Sequence, residues 1–161
     1  MTAGPAEIVT AFIQALQDKD LDTALGWVTD DIVYDNVPMD TVHGKEAVRS
    51  FLEPMLIGAQ EIEWIVHRQV AAGTLVMNER TDGFRFGERW VRLPVAGVFE
   101  FREGRIALWR DYFDLQNFTD QLTGRPADQK PDQKTDQETG RTPDQETDQK
   151  ESRERDRKTD R

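Results

Sequence analysis

The chain has 161 residues, with 31 acidic and 21 basic side chains, a formal net charge of −10 and no cysteine. That length supports one domain with a real core, and the acidity excludes nucleic acid or an anionic membrane as the main partner. The absence of cysteine excludes disulfides and thiolate metal sites, and the two histidines, His43 and His67, are too far apart in sequence to suggest a metal centre, so no cofactor or metal is expected.

In chain order, Pro5 suits a first helical position, and Ile8, Val9, Phe12, Ile13 and Leu16 follow with helical spacing. Asp20 reads as the N-cap of a short helix over 21–28, and residues 32–36 as a short strand. A loop holds Pro38 and Gly44. A third helix carries Ala47, Val48, Phe51, Leu52 and Met55, with Pro54 expected to end or kink it. Long strands are expected over 61–71, 74–86 and 88–102, punctuated by glycines, then a last strand over 105–114. A short helix over 115–122, capped by Asp114, closes the domain. No apolar run approaches the roughly 20 residues of a membrane span. The N-terminus has no basic segment leading into an apolar one, so a cytoplasmic protein is the expectation.

Beyond Gly124 the composition changes abruptly. From 125 to 161 the apolar set is represented by Ala127 alone, Asp-Gln-Lys and Asp-Gln-Glu repeat, and eleven acidic residues face ten basic ones. Such a segment cannot bury enough apolar surface to offset its ordering entropy, so a disordered low-complexity tail is expected at 125–161, after a folded domain at 1–124. Helices first and strands later describe an α+β domain: a strongly curved, mixed but largely antiparallel sheet whose helices enclose a deep pocket.

The strands carry polar residues that do not suit a core. Side chains alternate faces along a strand, so Asn78, Arg80, Asp82 and Phe84 share one face. Trp109, Asp111 and Phe113 share another, and Ile32, Tyr34 and Asn36 a third. Any one such pair fits an exposed sheet face. The set does not, because Arg110 and Tyr112 already supply a polar outer face beside Asp111. Buried charges need partners, since desolvation costs several kcal/mol per ion. An Asp-Arg-Asp arrangement meets that need and supplies an acid and a base. Phe84, Phe113, Met39, Val66 and Phe118, with Trp109, are candidates for an apolar wall, although ordinary core packing suits each of them as well. His43 and His67 read as loop and strand-surface residues.

Tyr34-Asp35-Asn36 with Pro38, Asn78 to Asp82, Gly97-Val98-Phe99, and Gly104-Arg105-Ile106 leading into Trp109 to Asp114 together resemble the limonene-1,2-epoxide hydrolases. These sit in a larger group of cone-shaped α+β domains that includes nuclear transport factor 2, ketosteroid isomerase and SnoaL-type cyclases. The resemblance covers roughly residues 5–122. It implies that Asp111 is the general base acting on water, that Tyr34 and Asn36 hold that water, that Asp82 is the general acid toward the epoxide oxygen, and that Arg80 sits between the carboxylates.

The implied chemistry stands on physical terms. A strained epoxide opens when a base acts on the attacking water and an acid on the departing oxygen in one step, with no covalent intermediate. Two adjacent carboxylates resist double ionisation, while an arginine between them favours it, which leaves a coupled unit with one shared proton. An isomerase or cyclase of the ketosteroid isomerase or SnoaL kind is the alternative enzyme reading, and a non-catalytic ligand-binding module the alternative outside enzymes. The expected partners are a small apolar epoxide, water and a second copy of the chain. In the run from Trp90 to Phe101, Val91, Leu93, Val95, Gly97 and Phe99 occupy one face while Pro94, Ala96 and Val98 occupy the other. A sheet apolar on both sides suggests a homodimer.

Overall fold

The structure is a computed structural model and describes residues 3–124. The expected tail at 125–161 lies outside the described residues. Helix α1 (Pro5–Gln17) starts on Gly4, whose backbone N–H donates to the Glu7 carboxylate at 2.8 Å, and buries Ile8, Val9, Phe12, Ile13, Ala15 and Leu16. Helix α2 (Leu21–Gly26) is capped by Asp20, which accepts the Thr23 N–H at 3.0 Å. It stops two residues short of the expected Val28, because Trp27 already offers its carbonyl to the Ile106 N–H and draws the chain into the sheet.

Strand β1 (Val28–Asn36) thus begins earlier than its apolar pattern indicates, through the polar stretch Thr29-Asp30-Asp31. Strand β2 (Val42–His43) has two residues and was not foreseen. Helix α3 (Lys45–Gly58) continues through Pro54 to Gly58. Proline removes one backbone donor, but ending the helix there would expose Leu56, which is buried along with Val48 and Leu52. Strands β3 (Glu61–Ala72), β4 (Leu75–Phe86), β5 (Arg89–Arg102) and β6 (Arg105–Tyr112) form a run of hairpins, and α4 (Leu115–Thr123) follows.

The sheet is open, in the order β2-β1-β6-β5-β4-β3. Only β1 and β6 pair in parallel; every other neighbour is antiparallel. Register shifts in β1–β6, β3–β4 and β5–β6 mark bulges, the device by which strands bend. Helix α1 lies against β3 and β4, and α3 against β1 and β2. The core between helices and sheet is centred on Trp109, which stacks on Tyr34 at 4.0 Å and meets Phe12 edge-on at 5.0 Å.

Strand β5 is sharply two-faced. Val91, Leu93, Val95, Gly97, Phe99 and Phe101 point inward and are buried, while Arg92, Pro94, Ala96 and Glu100 are exposed. On the outward face, Ile65, Met77 and Tyr112 remain exposed apolar residues. Beyond the end of β6, the Gln121 side chain of α4 exchanges two hydrogen bonds with the Arg92 backbone, at 2.8 and 2.9 Å. An amide side chain thereby takes the place of a neighbouring strand.

Candidate active site

Register explains why distant residues meet. Parallel pairing of β1 with β6 sets Asn36 beside Asp111 and Tyr34 beside Trp109. Antiparallel pairing across the centre aligns Asn78, Gly97 and Asp111 in one row, and Trp64, Asp82 and Leu93 in another. Paired residues share a face, so one inward face collects Tyr34, Asn36, Asn78, Arg80, Asp82 and Asp111. Asn36, Asn78, Arg80, Asp82 and Asp111 are the buried polar residues of the described chain.

Arg80 organises the site. Its Nε donates to Asp82 Oδ1 at 2.8 Å and its Nη2 to Asp82 Oδ2 at 3.0 Å, a bidentate pair. The same Nη2 donates to Asp111 Oδ2 at 2.6 Å, and Nη1 to Asn78 Oδ1 at 3.1 Å. The Trp64 ring lies against the guanidinium, 5.1 Å from its centroid. Asp111 Oδ1 is buried and has no hydrogen-bond partner among the described residues. One carboxylate oxygen is thus tied to arginine while the other is left to accept.

Burial pushes the Asp82 carboxyl from its ordinary 3.8 up to about 6; Arg80 opposes the rise and the nearby Asp111 charge adds to it. Burial also works against the charge on Arg80, but Asp111 and Asp82 outweigh it and the guanidinium stays protonated. Burial, then the Asp111 charge, raises the Tyr34 phenol well above its usual value, so it is a neutral donor. One permanent cation, one carboxyl able to hold a proton near neutral pH and one carboxylate oxygen without a donor form an acid–base unit.

This unit opens onto a cavity of about 110 Å³ whose polar side is Tyr34, Asn36, Asp82 and Asp111. Everything else lining it is apolar. The model of the limonene-1,2-epoxide hydrolase catalytic domain matches residues 3–124.

The chain belongs to that family.

Epoxide hydrolase EphG of Mycobacterium tuberculosis is 43% identical over 107 residues, 66% of this chain and 71% of that protein. A solved epoxide hydrolase of the limonene-1,2-epoxide hydrolase type, also from M. tuberculosis, superposes with a TM-score of 0.66 at 39% identity, covering 74% of this chain and 90% of that one. A Catenulispora acidiphila protein with a ketosteroid isomerase-like fold has a TM-score of 0.66 at 23% identity, covering 78% and 98%. This last likeness shows the cone-shaped fold alone.

Within this limonene-1,2-epoxide hydrolase domain, the five residues expected at the reactive centre, Tyr34, Asn36, Arg80, Asp82 and Asp111, lie together. Met39, Phe84, Phe113 and Phe118 line the cavity, as expected of a wall. Val66 does not. It pairs with Arg80 on edge strand β3, but the register shifts directly after it and it stays 37% exposed, outside the cavity lining. Trp109 also drops out of the wall: it is buried in the core behind Tyr34. Five wall residues were missed: Phe51 and Met55 of α3, Trp64 of β3, and Leu93 and Val95 of β5. Their apolar periodicity is the same as that of core residues, which is why sequence alone does not separate them. His67 bonds Thr81 at 2.8 Å at an exposed position, and His43 is exposed on β2. Among the described residues no helix is long and apolar enough to cross a membrane.

Proposed function

We propose that this protein is an epoxide hydrolase that adds water to a compact apolar epoxide and releases a vicinal diol. The observation that carries the reading is the single Arg80 nitrogen shared by Asp82 and Asp111 at the polar side of an otherwise apolar cavity. Tyr34 and Asn36 hold the water beside Asp111. Oδ1 of Asp111 takes a proton from that water as its oxygen bonds to an epoxide carbon. The carbon–oxygen bond of the ring breaks, its electron pair goes to the epoxide oxygen, and Asp82 gives that oxygen its proton. The unit ends with its proton on Asp111, and a proton returns to Asp82 before the next turnover. Met39, Phe84, Phe113 and Phe118 hold the hydrocarbon part of the substrate.

The same proposal includes a homodimer joined through the outward sheet face, on which Ile65, Met77 and Tyr112 are exposed. It also treats 1–124 as the catalytic domain, with 125–161 dispensable for turnover, and places the protein in the cytoplasm, both on the sequence alone. The test is a panel of terpene, fatty-acid and sterol epoxides assayed for diol. Turnover of at least one compact apolar member, undiminished by a strong chelator, is expected; failure across the panel would overturn the reading. Sedimentation equilibrium on a chain ending at Gly124 decides the dimer, with a monomer at micromolar concentration counting against it.

A further inference from the structure

Gly97 sits at an inward position in the middle of β5, between Asn78 on β4 and Asp111 on β6. Every other inward position of β5 from Val91 to Phe101 carries a large apolar side chain. Glycine weakens a strand interior, so its presence there points to a close approach by another group. That group is the Arg80 guanidinium. A Cβ built on Gly97 would lie far inside contact distance of Arg80 Nη1, 2.7 Å from Asn78 Oδ1 and 3.1 Å from Asp111 Oδ1. The arginine therefore rests on bare backbone. Asn78 supplies the only side-chain acceptor for Nη1 among the described residues. Its own amide is oriented in turn: Nδ2 donates to Gln69 Oε1 at 3.3 Å, and Gln69 Nε2 donates to the Ala6 carbonyl of α1 at 3.0 Å.

We infer that Gly97 and Asn78 are positioning residues, forming a seat that fixes the plane of the Arg80 guanidinium so that one nitrogen serves both Asp82 and Asp111. The inference rests on the epoxide hydrolase reading for its catalytic consequence, but not for its geometry. Without the seat the guanidinium has room to tilt, and the bidentate grip on Asp82 and the bond to Asp111 cannot both persist. The charged or titratable groups facing Asp82 are Arg80, Asp111 and Tyr34; β3 and β5 present the uncharged Trp64 and Leu93. Loosening Arg80 removes the one group that favours ionisation of Asp82. Its titration should then move to higher pH.

Two variants test this. Gly97→Ala pushes on Arg80, and Asn78→Ala removes its acceptor without adding bulk. Each is followed by carbon-13 NMR titration of the Asp82 carboxyl and by the pH profile of turnover. In both variants the Asp82 titration and the alkaline limb of kcat should shift upward together. In Gly97→Ala, kcat should fall about 100-fold, the size of effect that misplacement of a reacting group produces, with KM changed far less. Asn78→Ala should show the same pattern more weakly. A folded Gly97→Ala protein with the wild-type Asp82 titration and kcat would overturn the inference. Should Gly97→Ala fail to fold, Asn78→Ala decides alone: an upward shift supports the seat and an unchanged titration refutes it. If the wild-type protein opens no epoxide, the functional reading fails, while the NMR arm still decides the geometry.

Discussion

The two faces of the sheet use arginine–carboxylate pairs to opposite ends. Outward, Arg85 meets Glu61 and Arg92 meets Glu63, each at 2.5 Å, with at least a third of every side chain in solvent. Inward, Arg80 meets Asp82 at 2.8 Å and Asp111 at 2.6 Å with 7% or less of any side chain exposed. Outer pairs are screened by water and contribute little, typically up to about 1 kcal/mol. The inner set is desolvated, which alters protonation rather than adding stability. Contact distances are similar on both faces, but the inner arginine grips one carboxylate with two nitrogens and shares one of them with a second carboxylate, and it does so out of water.

The largest expected effects break the inner unit. Asp82→Asn and Asp111→Asn keep side-chain shape but remove proton transfer, so each should lower kcat by about 10²–10⁴-fold with the fold retained, as read by steady-state kinetics and circular dichroism. Arg80→Lys should also be severe, because a lysine cannot bridge two carboxylates with a planar fork.

Stability against pH should differ in sign between the two kinds of site. The folded-state pKa of Asp82, about 6, lies above its ordinary 3.8, so the folded chain holds a proton that the unfolded chain has lost. Its contribution is fully present below the ordinary pKa and is lost as pH rises through about 6, on the order of 2–3 kcal/mol. Asp20 and Asp30 have lowered values, from side-chain hydrogen bonds with Thr23 and Lys45 respectively. Their contributions are present above the ordinary carboxylate pKa and lost as pH falls through the lowered values. Denaturation of wild type and Asp82→Asn in parallel should therefore show the variant gaining relative stability between pH 4 and pH 7. A constant difference would place Asp82 in a solvated setting.

The smallest effect belongs to the outer face. Glu61→Gln removes the negative charge that Arg85 pairs with, and should change stability by less than about 1 kcal/mol and leave turnover unaltered.

Much of the inner face was legible because alternation in strands is strict. Arg80 with Asp82, and Asp111 between Trp109 and Phe113, declare a shared face from spacing alone. Convergence of three strands was less legible, since it depends on register, and the parallel pairing of β1 with β6 is a long-range event. Val66 misled because sharing the inward face does not by itself bring a residue of an edge strand to the cavity: it pairs with Arg80, which is itself not part of the lining. Pro54 did not end its helix, because tertiary burial of Leu56 outweighed a local rule. Gly97 and Asn78 stood in recognisable motifs, but a missing side chain shows its purpose only when the neighbouring guanidinium is in view.

The central claim is that water, activated at Asp111 and opposed by Asp82 across a shared arginine, attacks the epoxide directly. A single turnover with enzyme in excess, run in water enriched in oxygen-18, tests it most directly. Direct attack puts one heavy oxygen into the diol and none into the protein. Unlabelled diol with heavy oxygen recovered in an aspartate carboxylate would mean a covalent ester intermediate and would contradict the account.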